Sequence, residues 1–327
     1  MKLTIVQWNM THMLTQSEGY DVISRAVLML VTLLLFFLFI FFVGTLLSIF
    51  FTTPYIQENA RYILFAHILI NDTLYLTLGI LCLFSILSNV YFPTPLCFLI
   101  LAVIAASFRV TPYNLAVMSL ERYIAICFPL RHLEFCTAKR AKSAIAVIWI
   151  VGFSPSIADF VTIACSVERS FFSIAVICGH SMLIISPLQN VIRSFAHFLS
   201  FSLVALIILF TYVKVMLVAR RLGSRQSSAL KAARTVLLHV FQLILCMVSF
   251  ISTVLETTIP GYNSDLRIVG FLIFTYLPRF LSPLIYGIRD EVFRKYIGKF
   301  YHTVFSPFHR LIYEIKHGVF HKCIRKQ

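Results

Sequence analysis

A chain of 327 residues with 59% hydrophobic and 13% charged residues, and a mean hydropathy of +0.89, carries more apolar surface than a water-soluble core can bury. Soluble enzymes and soluble binding modules are thereby excluded, and the lipid bilayer is the first partner implied. The formal charge of +15 does not point to nucleic acid, because the basic residues are not gathered in one patch.

Runs of about 20 apolar residues, the length that crosses a hydrocarbon core of roughly 30 Å as a helix, recur along nearly the whole chain. Seven are predicted, over 26–51, 62–88, 96–120, 143–164, 194–219, 235–259 and 267–288, so the expected fold class is an all-α membrane protein, a seven-transmembrane helix bundle. Residues 1–25 form an outer N-terminus, 26–289 the bundle and 290–327 a cytoplasmic tail. The cations set the orientation. Arg61, Arg131, Lys139, Arg140, Lys142, Lys214, Arg220, Arg221, Arg225, Lys231, Arg234 and the tail cations fall on one side, against Lys2, Arg25, Arg169, Arg193 and Arg267 on the other. By the positive-inside bias the N-terminus is extracellular and the C-terminus cytoplasmic, in a multi-pass protein of the plasma membrane.

The first residues lack a continuous apolar core and a small-residue cleavage site, so the first span is expected to direct insertion. Asn9-Met10-Thr11 is a glycosylation sequon on the outer side, whereas Asn71-Asp72-Thr73 lies at membrane depth and is read as unmodified. The first span, through Leu33 to Val43, is apolar all round. The second carries Asp72, a carboxylate that must find a partner or stay neutral.

In the third span Arg109 lies about three turns below Cys97, with Ile104, Ala105 and Phe108 around it at helical spacing. A lipid-facing guanidinium is costly, so Arg109 is expected to point into the bundle, toward a ligand or toward neighbouring carbonyls or an Asp. The same span ends on the adjacent pair Glu121-Arg122, which needs a partner or an aqueous cavity. Trp149 marks the fourth span, His197 the outer half of the fifth, and Phe210-Thr211-Tyr212 its inner end. Lys231 and Thr235, four apart on one helical face, precede His239; Phe250, Ile251 and Val254 follow in the sixth span, and Thr275, Pro283 and Tyr286 lie in the seventh. In the tail, Phe305, Phe308, Ile312, Ile315, Val319 and Phe320 recur at three- and four-residue steps among cations, which predicts an amphipathic helix on the inner leaflet. Cys323 in that tail is a candidate lipidation position.

Met118-Ser-Leu-Glu121-Arg122-Tyr123-Ile-Ala-Ile-Cys127-Phe-Pro129-Leu130-Arg131 resembles the MAYDRYxAICxPL signature of odorant receptors, within the rhodopsin-like class of G-protein-coupled receptors. Lys231-Ala232-x-x-Thr235-x-x-x-His239 is similar to the odorant-receptor KAxSTCxSH motif. Ser282-Pro283-Leu-Ile-Tyr286 resembles the PxxNPxxY ending, with Ser282 for Asn, followed by a short interfacial helix. Leu277-Pro-Arg279 before it resembles fish odorant receptors in particular. The chain departs from the family at Thr45, where Asn follows Gly44, and at Val204, where a mid-helix proline is usual.

The resemblance implies an odorant-type chemosensory receptor that binds a small-molecule odorant and activates a heterotrimeric G protein of the stimulatory olfactory kind, without a cofactor or metal. It assigns coupling and switching to Glu121, Arg122, Tyr123, Tyr212, Lys231, Thr235, His239, Pro283 and Tyr286, and an ion or water network to Asp72. The ligand is expected among Ile104, Ala105, Phe108, Arg109, His197, Phe250, Ile251, Val254 and Thr275, and to bear an acidic or strongly hydrogen-bond-accepting group. A disulfide between Cys97 and Cys178 is implied, with Cys165 free. A receptor outside the olfactory group is the alternative. A transporter is disfavoured because the two halves show no internal repeat, and an intramembrane enzyme because neither paired catalytic Asp signatures nor a His-Glu-x-x-His spacing is present.

Overall fold

The computed structural model describes residues 22–179 and 187–221, the short stretches 236–238, 240–241, 243–245, 247–248 and 279–280, and residues 283 and 295. Among the described residues five helices are long and apolar enough to cross a bilayer. They are α1 (Val22–Thr52), α2 (Ala60–Leu87), α3 (Thr94–Cys127), α4 (Ala138–Ser166) and α5 (Pro187–Arg221). Four of the five run past the expected apolar segment at both ends, α3 continuing from 120 to Cys127. Helical hydrogen bonding does not stop where hydropathy falls, since polar side chains at the ends reach the headgroups or water.

Local chemistry sets the helix starts. Asn59 accepts a hydrogen bond from the Arg61 backbone N–H at 3.0 Å and Thr137 from that of Arg140 at 3.3 Å, capping α2 and α4. Proline stands in the first turn of the single-turn helix Pro54–Gln57, of α3 and of the short helix Pro129–Phe135, where its missing N–H costs nothing. Pro112 and Pro155 lie inside α3 and α4, which membrane helices tolerate when neighbours re-satisfy the backbone.

α2 and α3 form the axis: 56% of an 18-residue apolar stretch of each is buried, against 17% in α1 and α4. Phe39 and Val43 of α1, Leu64, Ile68, Leu69 and Leu76 of α2, Leu115 and Met118 of α3, and Phe201, Val204 and Ile208 of α5 make one core. Leu34, Phe37, Ile150 and Phe195 are more than half exposed; on helices of this composition that surface faces lipid. Thr45 donates to the Phe41 carbonyl of its own helix at 2.9 Å. The polar link between helices that Asn would make is thus replaced by a bond within α1.

The end of the bundle expected to be the outer one is closed by β1 (Tyr91–Pro93) and β2 (Ala175–Ile177), antiparallel with Tyr91 opposite Ile177 and Pro93 opposite Ala175. The chain turns from α2 into β1 through Asn89, at φ 52°, a left-handed conformation that Asn tolerates well. Cys97 at the top of α3 and Cys178 after β2 are joined by a disulfide, and Cys165 is free and exposed. Ser85 of α2 donates to the Val90 carbonyl at 2.7 Å and accepts from the Cys178 N–H at 3.0 Å. At the opposite end, the expected inner one, Asn59 and Thr137 form an isolated antiparallel bridge between the loops that precede α2 and α4.

α3 and α4 pack tightly at Gly152, where a Cβ would lie 3.0 Å from the Val110 side chain and 3.4 Å from the Ala106 carbonyl. Gly152→Val is therefore expected to push the helices apart and to cost about 1–3 kcal/mol. Melting of the purified receptor measures this; a melting point equal to wild type would show that the interface has room.

Candidate functional site

Three polar layers cross the described bundle. The innermost is at the end of α3. Glu121, which is 7% exposed, lies 3.6 Å from Nε of Arg122 through one carboxylate oxygen and 3.1 Å from Nε2 of His132 through the other. His132 sits on the short helix Pro129–Phe135, so the carboxylate ties the end of α3 to the second inner loop. Tyr123 turns away from this lock, its ring 5.7 Å from those of Phe128 and of Phe210 on α5. Tyr212 packs against the main core. In the loop beside the lock, burial and then the nearby Glu121 carboxylate push the Cys136 thiol up to about 11.

The middle layer surrounds Asp72, which is fully buried. Beside this carboxylate, to which the resemblance assigns an ion or water network, stands the guanidinium of Arg279, its Nη1 2.5 Å from Oδ1. Arg279 Nη1 is also 3.4 Å from the Thr111 hydroxyl, and its guanidinium carbon lies 3.6 Å above the Tyr75 ring. Asn71 donates to the Ser107 carbonyl at 3.1 Å and to Thr111 at 3.0 Å, and Asn114 of α3 donates to the Leu64 carbonyl of α2 at 2.9 Å. Trp149 donates to Nε2 of His67 at 2.8 Å, which joins α4 to α2.

The outer layer is built on Arg109, 4% exposed and so kept from lipid. Its Nε donates to the Gly152 carbonyl at 2.8 Å and its Nη2 to the Ser156 hydroxyl at 2.6 Å. Nη1 stands 3.5 Å from Nε2 of His197. The His197 Nδ1 lies 2.8 Å from the Arg193 carbonyl, which can only accept, so Nδ1 carries the proton and Nε2 offers its lone pair to Arg109. Arg193 in turn pairs with Asp159 of α4 at 3.0 Å. Arg109 points into the bundle, and the neighbouring carbonyl and hydroxyl expected as one possible set of partners are there. Two edges of the guanidinium are thus bonded to α4, and the third faces His197 of α5.

Phe108, half-buried, brings its ring within 6.0 Å of Phe201, 6.4 Å of Tyr75 and 6.4 Å of His197. Ile104 and Ala105, also half-buried, stand one turn nearer the disulfide on the same helix. Pro283 is buried, and Phe280 packs on Phe39 and Phe42 of α1. Asn9, Lys231, Thr235, His239, Phe250, Ile251, Val254, Thr275, Tyr286 and the amphipathic tail pattern lie outside the described residues.

Helices that show apolar side chains to lipid and keep their charges and hydrogen bonds for one another define an integral-membrane bundle with a strand pair over one end and a charged cluster at the other. Residues 44–286 match the 7 transmembrane receptor (rhodopsin family), and the chain belongs to that family. It is therefore a multi-pass membrane receptor with a seven-helix bundle, and not an enzyme. It is similar to Odorant receptor 131-2 of Danio rerio, 28% identical over 241 residues that span 72% of this chain and 74% of that protein. Ultraviolet-sensitive opsin of Carassius auratus is 26% identical over 287 residues, 82% of this chain and 83% of that one. Olfactory receptor 8G17 of Mus musculus is 26% identical over 207 residues, 61% of this chain and 64% of that protein.

Proposed function

We propose that the protein is an odorant-type chemosensory receptor of the plasma membrane, with its N-terminus outside, that converts binding of a small odorant into activation of a stimulatory heterotrimeric G protein. The observation that carries this reading is the Glu121 carboxylate holding both Arg122 and His132 at the inner end of α3, in a chain whose relatives include odorant receptors of fish and mammals. The ligand lies against the aromatic surface of Phe108, Tyr75 and Phe201, with Ile104, Ala105 and His197 at its edge, and with Phe250, Ile251, Val254 and Thr275 contributed by the sixth and seventh spans. A ligand that favours the active arrangement by about 1.4 kcal/mol shifts the ratio of states tenfold. Movement of the inner helix ends then frees Arg122 for the G protein, with Tyr123, Tyr212, Lys231, Thr235, His239, Pro283 and Tyr286 on the coupling side.

The test is a screen of small volatile and water-soluble odorants on cells expressing the full chain. A dose-dependent rise in cyclic AMP that requires the stimulatory α-subunit, with no ligand-gated current, supports the reading; a current or substrate uptake without the cyclic AMP rise overturns it. Arg109→Gln separates strut from anion site. As a strut, its loss leaves the Ser156 hydroxyl and Gly152 carbonyl short of a donor and costs about 1–3 kcal/mol, lowering melting temperature and surface level while responses to carboxylate and neutral odorants fall together. Unchanged stability with a selective loss of carboxylate responses would return Arg109 to the ligand site.

A further inference from the structure

We propose that Arg279 is a counter-ion built into the chain, occupying the place that a free cation would take beside Asp72 and fastening the seventh span to α2 and α3. The inference rests on the family to which the chain belongs and not on its being an odorant receptor. Asp72 is 0% and Arg279 4% exposed, and a charge at that depth persists only with its opposite. The two are separated by 207 residues in the chain, so their meeting is tertiary and joins the last span to the second.

Beside the pair stands an oxygen of the kind a hard cation selects, the Thr111 hydroxyl, 3.4 Å from both Asp72 Oδ1 and Arg279 Nη1. Asn71, whose amide donates to Thr111, carries a further buried oxygen, Oδ1, with no hydrogen-bond partner among the described residues. The guanidinium reaches Asp72 across the face of Tyr75, its carbon 3.6 Å from the ring centre. A cation attached covalently cannot exchange with the solution. Occupancy of this position therefore does not follow external sodium, and the pair opens only when the seventh span moves.

The experiment is thermal unfolding of the full chain in lipid nanodiscs, in sodium chloride and in choline chloride of equal ionic strength. Sodium stabilises only a protein that binds it in the folded state. Wild type is expected to melt at one temperature in both salts. Arg279→Gln should melt several degrees lower in choline and recover part of that loss in sodium. The double variant Asp72→Asn/Arg279→Gln should melt above either single variant, with no response to sodium. A wild type stabilised by sodium, an Arg279→Gln variant as stable as wild type in choline, or a variant without sodium rescue overturns the proposal. If Arg279→Gln yields no folded protein, the comparison passes to Asp72→Asn and the double variant, and a double variant no more stable than Asp72→Asn overturns it. None of these readouts uses an odorant or a G protein, so they stand whichever ligand the receptor takes.

Discussion

Arg122→Ala is expected to abolish cyclic AMP signalling while leaving the receptor at the cell surface, and Glu121→Gln to raise signalling without ligand. The guanidinium is held at rest by a carboxylate that is 7% exposed, and removing one partner of such a pair leaves the other uncompensated and favours whichever state solvates it. Neutralising Glu121 releases both of its partners, since one oxygen faces Arg122 at 3.6 Å and the other His132 at 3.1 Å. His132→Ala removes only the tie to the loop, so its basal signal should fall between wild type and Glu121→Gln. Cyclic AMP accumulation normalised to surface labelling measures all three. Ligand-driven signalling of normal size from Arg122→Ala would remove the residue from the switch, and a silent Glu121→Gln receptor at full surface level would do the same for the lock.

The second large effect is expected at the disulfide. Cys178→Ser opens a covalent loop with a sequence separation of 81, and loops of that size contribute roughly 4–5 kcal/mol by limiting the unfolded chain. The Cys178 N–H bonds Ser85, and β2 just before it pairs with β1, so the substitution removes the covalent anchor to α3 and leaves the lid held by hydrogen bonds. Surface expression should collapse, and the residual protein should lose odorant response. Peptide mapping without reduction checks the pairing itself: a Cys97 peptide linked to Cys165 in place of Cys178 would refute it.

Much of this was readable along the chain because it is local. Apolar runs of membrane length, the adjacent Glu121-Arg122 pair and the position of Arg109 on an otherwise apolar helix all announce themselves within one span. What escaped is set by the register between helices, which periodicity does not carry. Nothing near Asp72 in sequence points to Arg279. The motif around Glu121 ends just short of His132, whose part depends on the short helix after Pro129 folding back on α3. Arg109 is buried as the cost of a lipid-facing charge requires, but its bond to α4 is made at Gly152, where the absent Cβ leaves room for the close helix approach and the carbonyl lies 2.8 Å from Nε. A lone glycine inside an apolar helix was the signal available for that close approach.

The bridge between Asn59 and Thr137 has a mechanical consequence. It clasps the inner loops of α2, α3 and α4, while Ser85 and the disulfide clasp α2 and α3 outside, and hydrogen bonds from Asn71, Asn114, Trp149 and Arg109 pin the same three helices between. Directional bonds fix relative position to a fraction of an ångström, whereas apolar and ring contacts slide. α5 is tied to this group at its Arg193–Asp159 end, where His197 also faces Arg109, but farther along it meets α3 through rings, Phe201 on Phe108 and Phe210 on Tyr123. The three pinned helices are the stator of the machine, their backbone amides expected to exchange with deuterated water more slowly than those of α5, and the Phe210 end of α5 bears on them as a rotor hinged at its far end.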